Sequence, residues 1–259
     1  MLKFSANIST LFTDLPFGAR IHAAARAGFG AIEAQFPYGE IEAGAFARQA
    51  RDAGAEIVLI NLSAGDFGAG ERGIACLEGR QDEFLQGVLR GGDYAAELGC
   101  ARVNCLVGNI PEGEEPEACW DVLVENLRRA SAELAARDIT LLIEPLNRRD
   151  NPRFAVSGYA QADALLTVVE APNLALQYDF YHAAAGGEDV LSGLERRIER
   201  IGHIQFSDFP GRGAPGSGWL DFPRLFRALE HLPYEGWVGA EYHDPAPVCF
   251  GWRRDYGAD

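Results

Sequence analysis

The sequence predicts a single (β/α)8 barrel, and three observations support this fold. The chain has 259 residues, close to the roughly 250 that one such barrel needs. Eight short apolar runs rich in β-branched residues alternate with longer segments of helical periodicity, a pattern typical of parallel strands joined by crossover helices. Hydrophobic residues make up 47% of the chain, enough for one large core. We therefore expect one domain over residues 1–259.

The strands are predicted from runs of four to six residues in which apolar and β-branched side chains dominate. In chain order they are Lys3–Ile8, Ala31–Gln35, Glu56–Asn61, Arg102–Leu106, Thr140–Glu144, Leu174–Asp179, His203–Phe206 and Trp237–Glu241. An open doubly wound sheet is the alternative arrangement of such strands. No glycine-rich phosphate loop follows the first strand, and eight strand–helix units favour closure into a barrel.

The helices between the strands are predicted from apolar residues at three- and four-residue spacing, and the first two are Ala-rich with charged outer positions. In chain order they are Ala19–Ala27, Gly44–Ala53, Arg80–Leu98, Glu117–Ala136, Ser157–Val169, Gly187–Arg200 and Asp221–Leu232. Gly28 and Gly54 end the first two helices directly before strands, where glycine readily adopts the left-handed turn.

Composition argues against several kinds of partner and compartment. The net charge of −15 repels phosphate backbones and anionic lipid, so we expect neither nucleic acid nor a membrane surface as a partner. The start of the chain is typical of a strand and not of a secretion signal, and no apolar run approaches the roughly 20 residues that cross a bilayer. Five cysteines without a Cys-x-x-Cys pair indicate reduced thiols in a cytoplasmic protein.

Polar side chains lie at the ends of the last four predicted strands. They are Glu144 on strand five, Asp179 on strand six, Gln205 on strand seven and Glu241 on strand eight. Because the active sites of such barrels lie at the carboxyl ends of the strands, we expect the four to converge near the barrel axis. A helix cap or a solvated loop acid would explain any one of them alone, but the coincidence of all four favours a common site.

These groups predict a divalent cation and a proton transfer. Three carboxylates share a small space only where a cation or protons offset their repulsion. Oxygen ligands suit Mg²⁺ or Mn²⁺ better than zinc or copper. With a metal on two substrate oxygens, Glu144 and Glu241 could take a proton from one carbon and return it to the next. An aldose–ketose isomerisation or a sugar epimerisation requires this arrangement.

Three further features surround the predicted site. His182 follows Asp179 closely and is expected to hydrogen-bond a substrate oxygen. Arg212, on the loop after strand seven, is expected to clamp a substrate carboxylate through two hydrogen bonds. The long Gly-rich loop Ser63–Gly79 is of a kind that more often covers a site. The alternatives are a packed loop histidine, a solvated arginine and ordinary loop flexibility.

Seven motifs spread over almost the whole chain carry a further signal. They are Asn61–Phe67, Gly70–Cys76, Ile143–Asn147, Gln177–His182, Gly202–Gln205, Pro210–Arg212 and Gly236–Tyr242. In combination they resemble the hydroxypyruvate isomerases, small members of the xylose isomerase-like barrel superfamily. The resemblance implies an enzyme that interconverts hydroxypyruvate and tartronate semialdehyde (2-hydroxy-3-oxopropanoate), with a place in glyoxylate metabolism.

The resemblance also implies roles for individual residues. It makes Glu144 and Glu241 the acid–base pair and assigns substrate binding to His182 and Arg212. From the related epimerases it implies an Mg²⁺ or Mn²⁺ site formed by Glu144, Asp179, Gln205 and Glu241. Several of those epimerases have histidine where this chain has Gln205, whereas hydroxypyruvate isomerases are similar to this chain. Barrels of this size often associate, so a homo-oligomer is a further hypothesis.

One loop, Gly213–Asp221, departs from the family pattern. After Pro-Gly-Arg the family usually continues His-Glu-Pro-Gly-Thr-Gly-Glu, and here a histidine and two acidic residues are absent while Trp219 has entered. We therefore expect the reaction type to be retained more readily than the substrate, and a 2-oxo-tetronate isomerase or a ketose 3-epimerase is the first alternative. A DNA-repair phosphodiesterase is opposed by the charge and by only five histidines. A binding protein without catalysis is opposed by the intact ring of four side chains.

Overall fold

The structure, a computed structural model, describes residues 1–243 and 250–255. Eight parallel strands alternate with helices and follow chain order around a closed barrel, which confirms the predicted fold class. The strands are β1 (Lys3–Asn7), β2 (Ala31–Ala34), β3 (Glu56–Asn61), β4 (Arg102–Cys105), β5 (Thr140–Ile143), β6 (Leu174–Asp179), β7 (Ile201–Phe206) and β8 (Trp237–Ala240). The helices are α1 (Phe17–Arg26), α2 (Ala43–Asp52), α3 (Gln81–Leu98), α4 (Pro116–Ala135), α5 (Tyr159–Val169), α6 (Phe180–Ala185), α7 (Val190–Arg197), α8 (Phe222–Leu229) and α9 (Trp252–Asp255).

The segment after β6 differs from the prediction because it contains two helix starts. Asp179 accepts a hydrogen bond from the backbone N–H of His182 and begins the short helix α6, which the sequence analysis missed. Asp189 accepts one from the N–H of Ser192 and begins α7. The predicted helix Gly187–Arg200 is therefore shorter, and a 3-10 turn over Ile198–Arg200 ends it.

The chain divides into two compact units, and the first comprises Met1–Val58 and Tyr178–Asp259. In this unit β1 pairs in parallel with β2 and with β8, and β7 pairs with β8. The pairing aligns Ser5 with Gly239 and Gln205 with Gly239, so these residues form one row across three strands. Behind the strands lies an aromatic cluster in edge-to-face contact, formed by Phe4, Phe206, Phe226 and Trp252.

The second unit, Leu59–Gln177, contains the pairs β3–β4, β4–β5 and β5–β6. A long loop follows β3 and is held against the end of β4. Gly73, in this loop, has φ +98°, and a Cβ there would lie 1.7 Å from the carbonyl oxygen of Leu106, so this close approach requires glycine. The single domain over residues 1–259 stays a prediction.

Two sequence features can be located outside the strands. Within the described residues, Cys76, Cys100, Cys105 and Cys119 are buried free thiols, while Cys249 lies outside the described residues. None of the helices in the part of the chain that the structure describes is long and apolar enough to cross a membrane.

Candidate active site

The four strand-end side chains predicted to form the site are all buried, with at most 5% of each exposed. Asp179 is the last residue of β6, and Gln205 lies within β7. Glu144 and Glu241 each follow directly after the last residue of a strand, β5 and β8. The three strand residues before each of these two glutamates are apolar and buried, so the sequence itself places each carboxylate at the point where the strand leaves the core.

Glu241 is enclosed by hydrogen-bond donors. They are Asn7 Nδ2 at 2.9 Å and Gln35 Nε2 at 2.6 Å, both to Oε1, and Arg212 Nη2 at 2.9 Å to Oε2. Burial nevertheless raises the pKa of Glu241 to about 7, with Arg212 lowering it and the charges of Asp179 and Glu33 raising it further. The carboxyl group can therefore gain or lose a proton near neutral pH.

Asp179 both caps a helix and contributes a carboxylate to the candidate site. Its Oδ1 accepts the backbone N–H of His182 at 2.7 Å, which caps α6, so the helix-cap explanation for this residue holds for one of its oxygens. Burial raises the pKa of Asp179, although Arg212 and the backbone donors oppose the shift and Glu33 adds to it.

Glu144 is a buried carboxylate in the second unit. The Nδ2 of Asn104, on β4, donates to Glu144 Oε2 at 2.9 Å. Glu144, Asp179 and Glu241 are each buried at the end of a strand, and each offers carboxylate oxygens as metal ligands. This donor set contains only oxygen, which fits Mg²⁺ or Mn²⁺.

Arg212 and His182, the predicted substrate-binding residues, have defined surroundings. Arg212 adopts φ +54° and places its guanidinium over the ring of Tyr181, 4.9 Å from the centroid, while it pairs with Glu241. His182 is buried, and burial together with the Arg212 charge holds its pKa well below the usual value. The His182 imidazole is therefore neutral at pH 7 and can exchange a hydrogen bond without adding charge.

A buried network around Glu33 was not among the predicted features. Glu33, on β2, is fully buried; its Oε1 accepts from Ser5 Oγ at 2.6 Å and lies 2.8 Å from His203 Nε2, and its Oε2 accepts from Gln205 Nε2 at 2.7 Å. The pKa of Glu33 lies below its usual value. Burial by itself would raise this pKa, but the attraction of His203 and the three hydrogen bonds outweigh the effect of burial. A charged residue in the middle of an apolar strand was the available signal.

The loop Gly213–Asp221, whose sequence differs from the family pattern, is organised around one buried acid, Asp208. Its carboxylate accepts the backbone N–H groups of Phe209, Gly216, Gly218 and Leu220 at 2.8 to 3.0 Å. Trp219 is 77% exposed, and its ring meets Phe209 edge to face at 5.4 Å. The loop therefore has a fixed backbone, and its new tryptophan faces solvent.

Comparison with known sequences places the chain in a group of isomerases. Residues 21–257 match the profile of the xylose isomerase-like TIM barrel family. The chain is 43% identical to the hydroxypyruvate isomerase of Escherichia coli K12 over 253 residues, with 98% of each protein covered. It is 38% identical to the 2-oxo-tetronate isomerase of Cupriavidus necator over 258 residues, with 99% of each covered.

Comparison with solved structures agrees with the fold. A family 2 AP endonuclease from Brucella melitensis is similar at TM-score 0.94 and 38% identity, with 99% of both chains covered. A D-psicose 3-epimerase from Clostridium cellulolyticum H10 is similar at TM-score 0.80 and 15% identity, with 99% of this chain and 90% of that chain covered. At that identity the second comparison supports the fold alone.

Proposed function

Since the chain belongs to the xylose isomerase-like TIM barrel family and is an isomerase of the aldose–ketose type, we propose that it interconverts hydroxypyruvate and tartronate semialdehyde. The observation that carries this proposal is the buried Glu241, which is paired with the Arg212 guanidinium and whose pKa is raised to about 7. The name of the Escherichia coli relative supports the choice of substrate.

Glu241 and Glu144 are proposed to move the proton. One carboxylate takes a proton from C3 of hydroxypyruvate, which leaves an enediolate, and a proton returns to C2 while a hydroxyl proton passes from O3 to O2. The net reaction moves the carbonyl by one carbon, with no redox partner. The pKa of about 7 suits Glu241 to this role, because a group that is half ionised near the working pH serves as both acid and base.

Arg212 and His182 are proposed to orient the substrate. A guanidinium has five N–H donors, and Arg212 uses Nη2 on Glu241, so the same group can bind a substrate carboxylate next to the base. The neutral His182 is proposed to hydrogen-bond a substrate oxygen. Tyr181, stacked on the guanidinium, holds it in place.

A divalent cation fits the donor set, with Gln205 as the fourth ligand beside Glu144, Asp179 and Glu241. The fit rests on the chemistry of the donors, since the three carboxylates are all buried at strand ends and oxygen ligands suit these ions. When bound, Mg²⁺ or Mn²⁺ would stabilise negative charge on the substrate oxygens.

A four-carbon 2-oxo acid is the second candidate substrate. The Cupriavidus necator relative, at 38% identity, is named a 2-oxo-tetronate isomerase. The loop Gly213–Asp221 lacks two acids and a histidine of the usual hydroxypyruvate isomerase pattern, which supports a shift in preference. A ketose 3-epimerase is less favoured, because a neutral sugar makes no use of Arg212 as a carboxylate clamp. A cytoplasmic location, a homo-oligomer and a place in glyoxylate metabolism stay predictions.

The proposal is tested by assaying the purified protein with hydroxypyruvate, the product being reduced by a coupled NADH-dependent reductase. Parallel reactions contain EDTA, Mg²⁺ or Mn²⁺. Glu144→Gln and Glu241→Gln are expected to lower kcat by about 10²- to 10⁴-fold each, the usual contribution of a positioned acid or base.

Glu188→Gln is a matched control, because Glu188 pairs with Arg196 and Arg197 and takes no part in the proposed chemistry. Its kcat is expected to stay near that of the wild type. Absence of turnover from folded wild-type protein in every arm would overturn the substrate assignment. The same assay with a four-carbon 2-oxo acid would then decide for the second candidate.

A further inference from the structure

The network around Glu33 has a geometry that bears on the candidate metal site. Glu33 lies on β2, yet its carboxylate reaches Ser5 on β1 and Gln205 on β7. The space is provided by Gly239, on β8, since a Cβ there would lie 2.1 Å from Glu33 Oε1. The absence of a side chain at Gly239 thus leaves room for the buried carboxylate of Glu33.

The carboxylate of Glu33 determines the orientation of the Gln205 amide. An ionised carboxylate only accepts hydrogen bonds, and the NH₂ of a carboxamide only donates. Gln205 must therefore turn its Nε2 towards Glu33 Oε2, where the distance is 2.7 Å. Its Oε1, the atom that could bind a cation, then lies on the other branch of the amide.

The position of the Glu33 carboxylate is held by its other contacts. Ser5 Oγ donates to Oε1, and His203 Nε2 lies 2.8 Å from the same atom. Side chains from β1 and β7 therefore hold both carboxylate oxygens, so the carboxylate cannot turn away from the Gln205 amide.

We infer that Glu33 is a positioning residue for the metal: it fixes the Gln205 amide with its oxygen available to the cation. The inference rests on the proposed function, because it assumes the cation site formed by Glu144, Asp179, Gln205 and Glu241. Glu33 itself touches neither the cation nor the substrate. Its effect passes through the Gln205 amide.

The test measures Mn²⁺ binding to the full-length protein by calorimetry and, separately, turnover. Glu33→Gln keeps the size of the side chain but removes its charge and lets the Gln205 amide rotate. It is expected to raise the Kd for Mn²⁺ about 10- to 100-fold, as loss of an outer partner of a metal ligand does, and to lower kcat more than it raises KM. Ser5→Ala, the matched control, removes one donor from the same carboxylate and should change the Kd by less than about threefold, because His203 still holds Oε1.

A reversed pair separates positioning from packing. In Glu33→Gln/Gln205→Glu the amide donates to the carboxylate from the opposite side, and the total charge is unchanged. Its Kd for Mn²⁺ is expected to return to within about threefold of the wild type, or lower. If Glu33→Gln alone does not fold, the Kd for Mn²⁺ of the reversed pair still tests the positioning role of Glu33.

Several outcomes would overturn the inference. They are a Kd unchanged in Glu33→Gln, a reversed pair that binds Mn²⁺ as weakly as Glu33→Gln, and a wild type that binds no Mn²⁺. Turnover of hydroxypyruvate by a wild type that binds no Mn²⁺ would reject this inference and leave the proposed function standing. Mn²⁺ binding that follows the expected order without any turnover would support the inference and reject the proposed substrate.

Discussion

Two buried glutamates in the same compact unit, Glu33 and Glu241, have opposite electrostatic surroundings. Each accepts three side-chain hydrogen bonds, and burial alone would raise both pKa values. The pKa of Glu33 is lowered, whereas that of Glu241 rises to about 7 despite a direct contact with Arg212.

The difference lies in the neighbouring charges. Glu33 faces an imidazole and neutral donors, while Glu241 also feels the like charges of Asp179 and of Glu33 itself. The donors and the neighbouring His203 lower the pKa of the buried Glu33, whereas the nearby carboxylates help to raise the pKa of Glu241 in spite of the Arg212 cation. The number of hydrogen bonds does not decide between these two states.

The largest expected effect is on the stability of the metal-free protein. At pH 8, Glu33→Gln should lower the free energy of unfolding by about 3 kcal/mol, because it breaks a buried and fully hydrogen-bonded charge. Glu241→Gln should leave it unchanged or raise it by about 1 kcal/mol. A carboxyl group with a raised pKa contributes stability below its unfolded pKa and loses that contribution as pH rises through about 7, so at pH 8 the substitution removes a cost. Urea unfolding measures both, and equal losses would contradict the contrast.

Arg212 separates substrate binding from the tuning of Glu241. Arg212→Met should raise KM for hydroxypyruvate about 30-fold, since a charge-assisted hydrogen bond contributes roughly 2 kcal/mol. It should also move the acidic limb of the kcat profile to higher pH, because Arg212 lowers the pKa of Glu241. Arg224→Met, at an exposed position in α8, serves as control. The clamp would be rejected if neutral ketoses lost as much affinity as the acid.

Metal binding should depend on pH through the same group. A carboxyl group of pKa about 7 is roughly nine-tenths ionised at pH 8 and one-tenth at pH 6. The Kd for Mn²⁺ should therefore rise about tenfold from pH 8 to pH 6, with about one proton released per ion bound at pH 6. Calorimetry in buffers of different ionisation enthalpy counts that proton. A Kd that is constant over this range would show that Glu241 is already ionised at pH 6.

The smallest expected effect concerns the altered loop. Trp219→Glu restores the acid of the usual family pattern at an exposed position, and its free energy of unfolding should change by less than about 0.5 kcal/mol. The ratio of kcat/KM between hydroxypyruvate and a four-carbon 2-oxo acid should shift by about threefold, or roughly 0.6 kcal/mol. Competition between the two substrates measures the shift. A larger loss of stability would mean that the contact with Phe209 supports the loop.

The strands and the strand-end residues could be predicted because they are local features of the chain. Apolar runs mark the strands, and Glu144, Asp179 and Glu241 stand where such runs end. Gln205 was predicted in the same way, although it lies one residue inside β7. The helix after β6 was missed, because its six residues are too few to show a clear helical periodicity.

Glu33 and the donors around the site could not be predicted in the same way. Asn7, Gln35 and Asn104 are ordinary polar residues near strand ends, and only the folded chain brings Asn7 and Gln35 to Glu241, more than 200 residues away in sequence. The roles of Ser5 and His203 likewise could not be predicted, because they depend on contacts with Glu33 that form only in the folded chain.

The sequence by itself therefore determined the barrel, its strand order and the identity of the acids at the strand ends. Each of these follows from a local pattern, namely an apolar run that forms a strand and a polar residue where the run ends. Only the tertiary structure decided which carboxylate is a permanent anion and which one titrates near pH 7. That choice depends on the distances between charges and on burial, and both arise only when strands distant in sequence pack together.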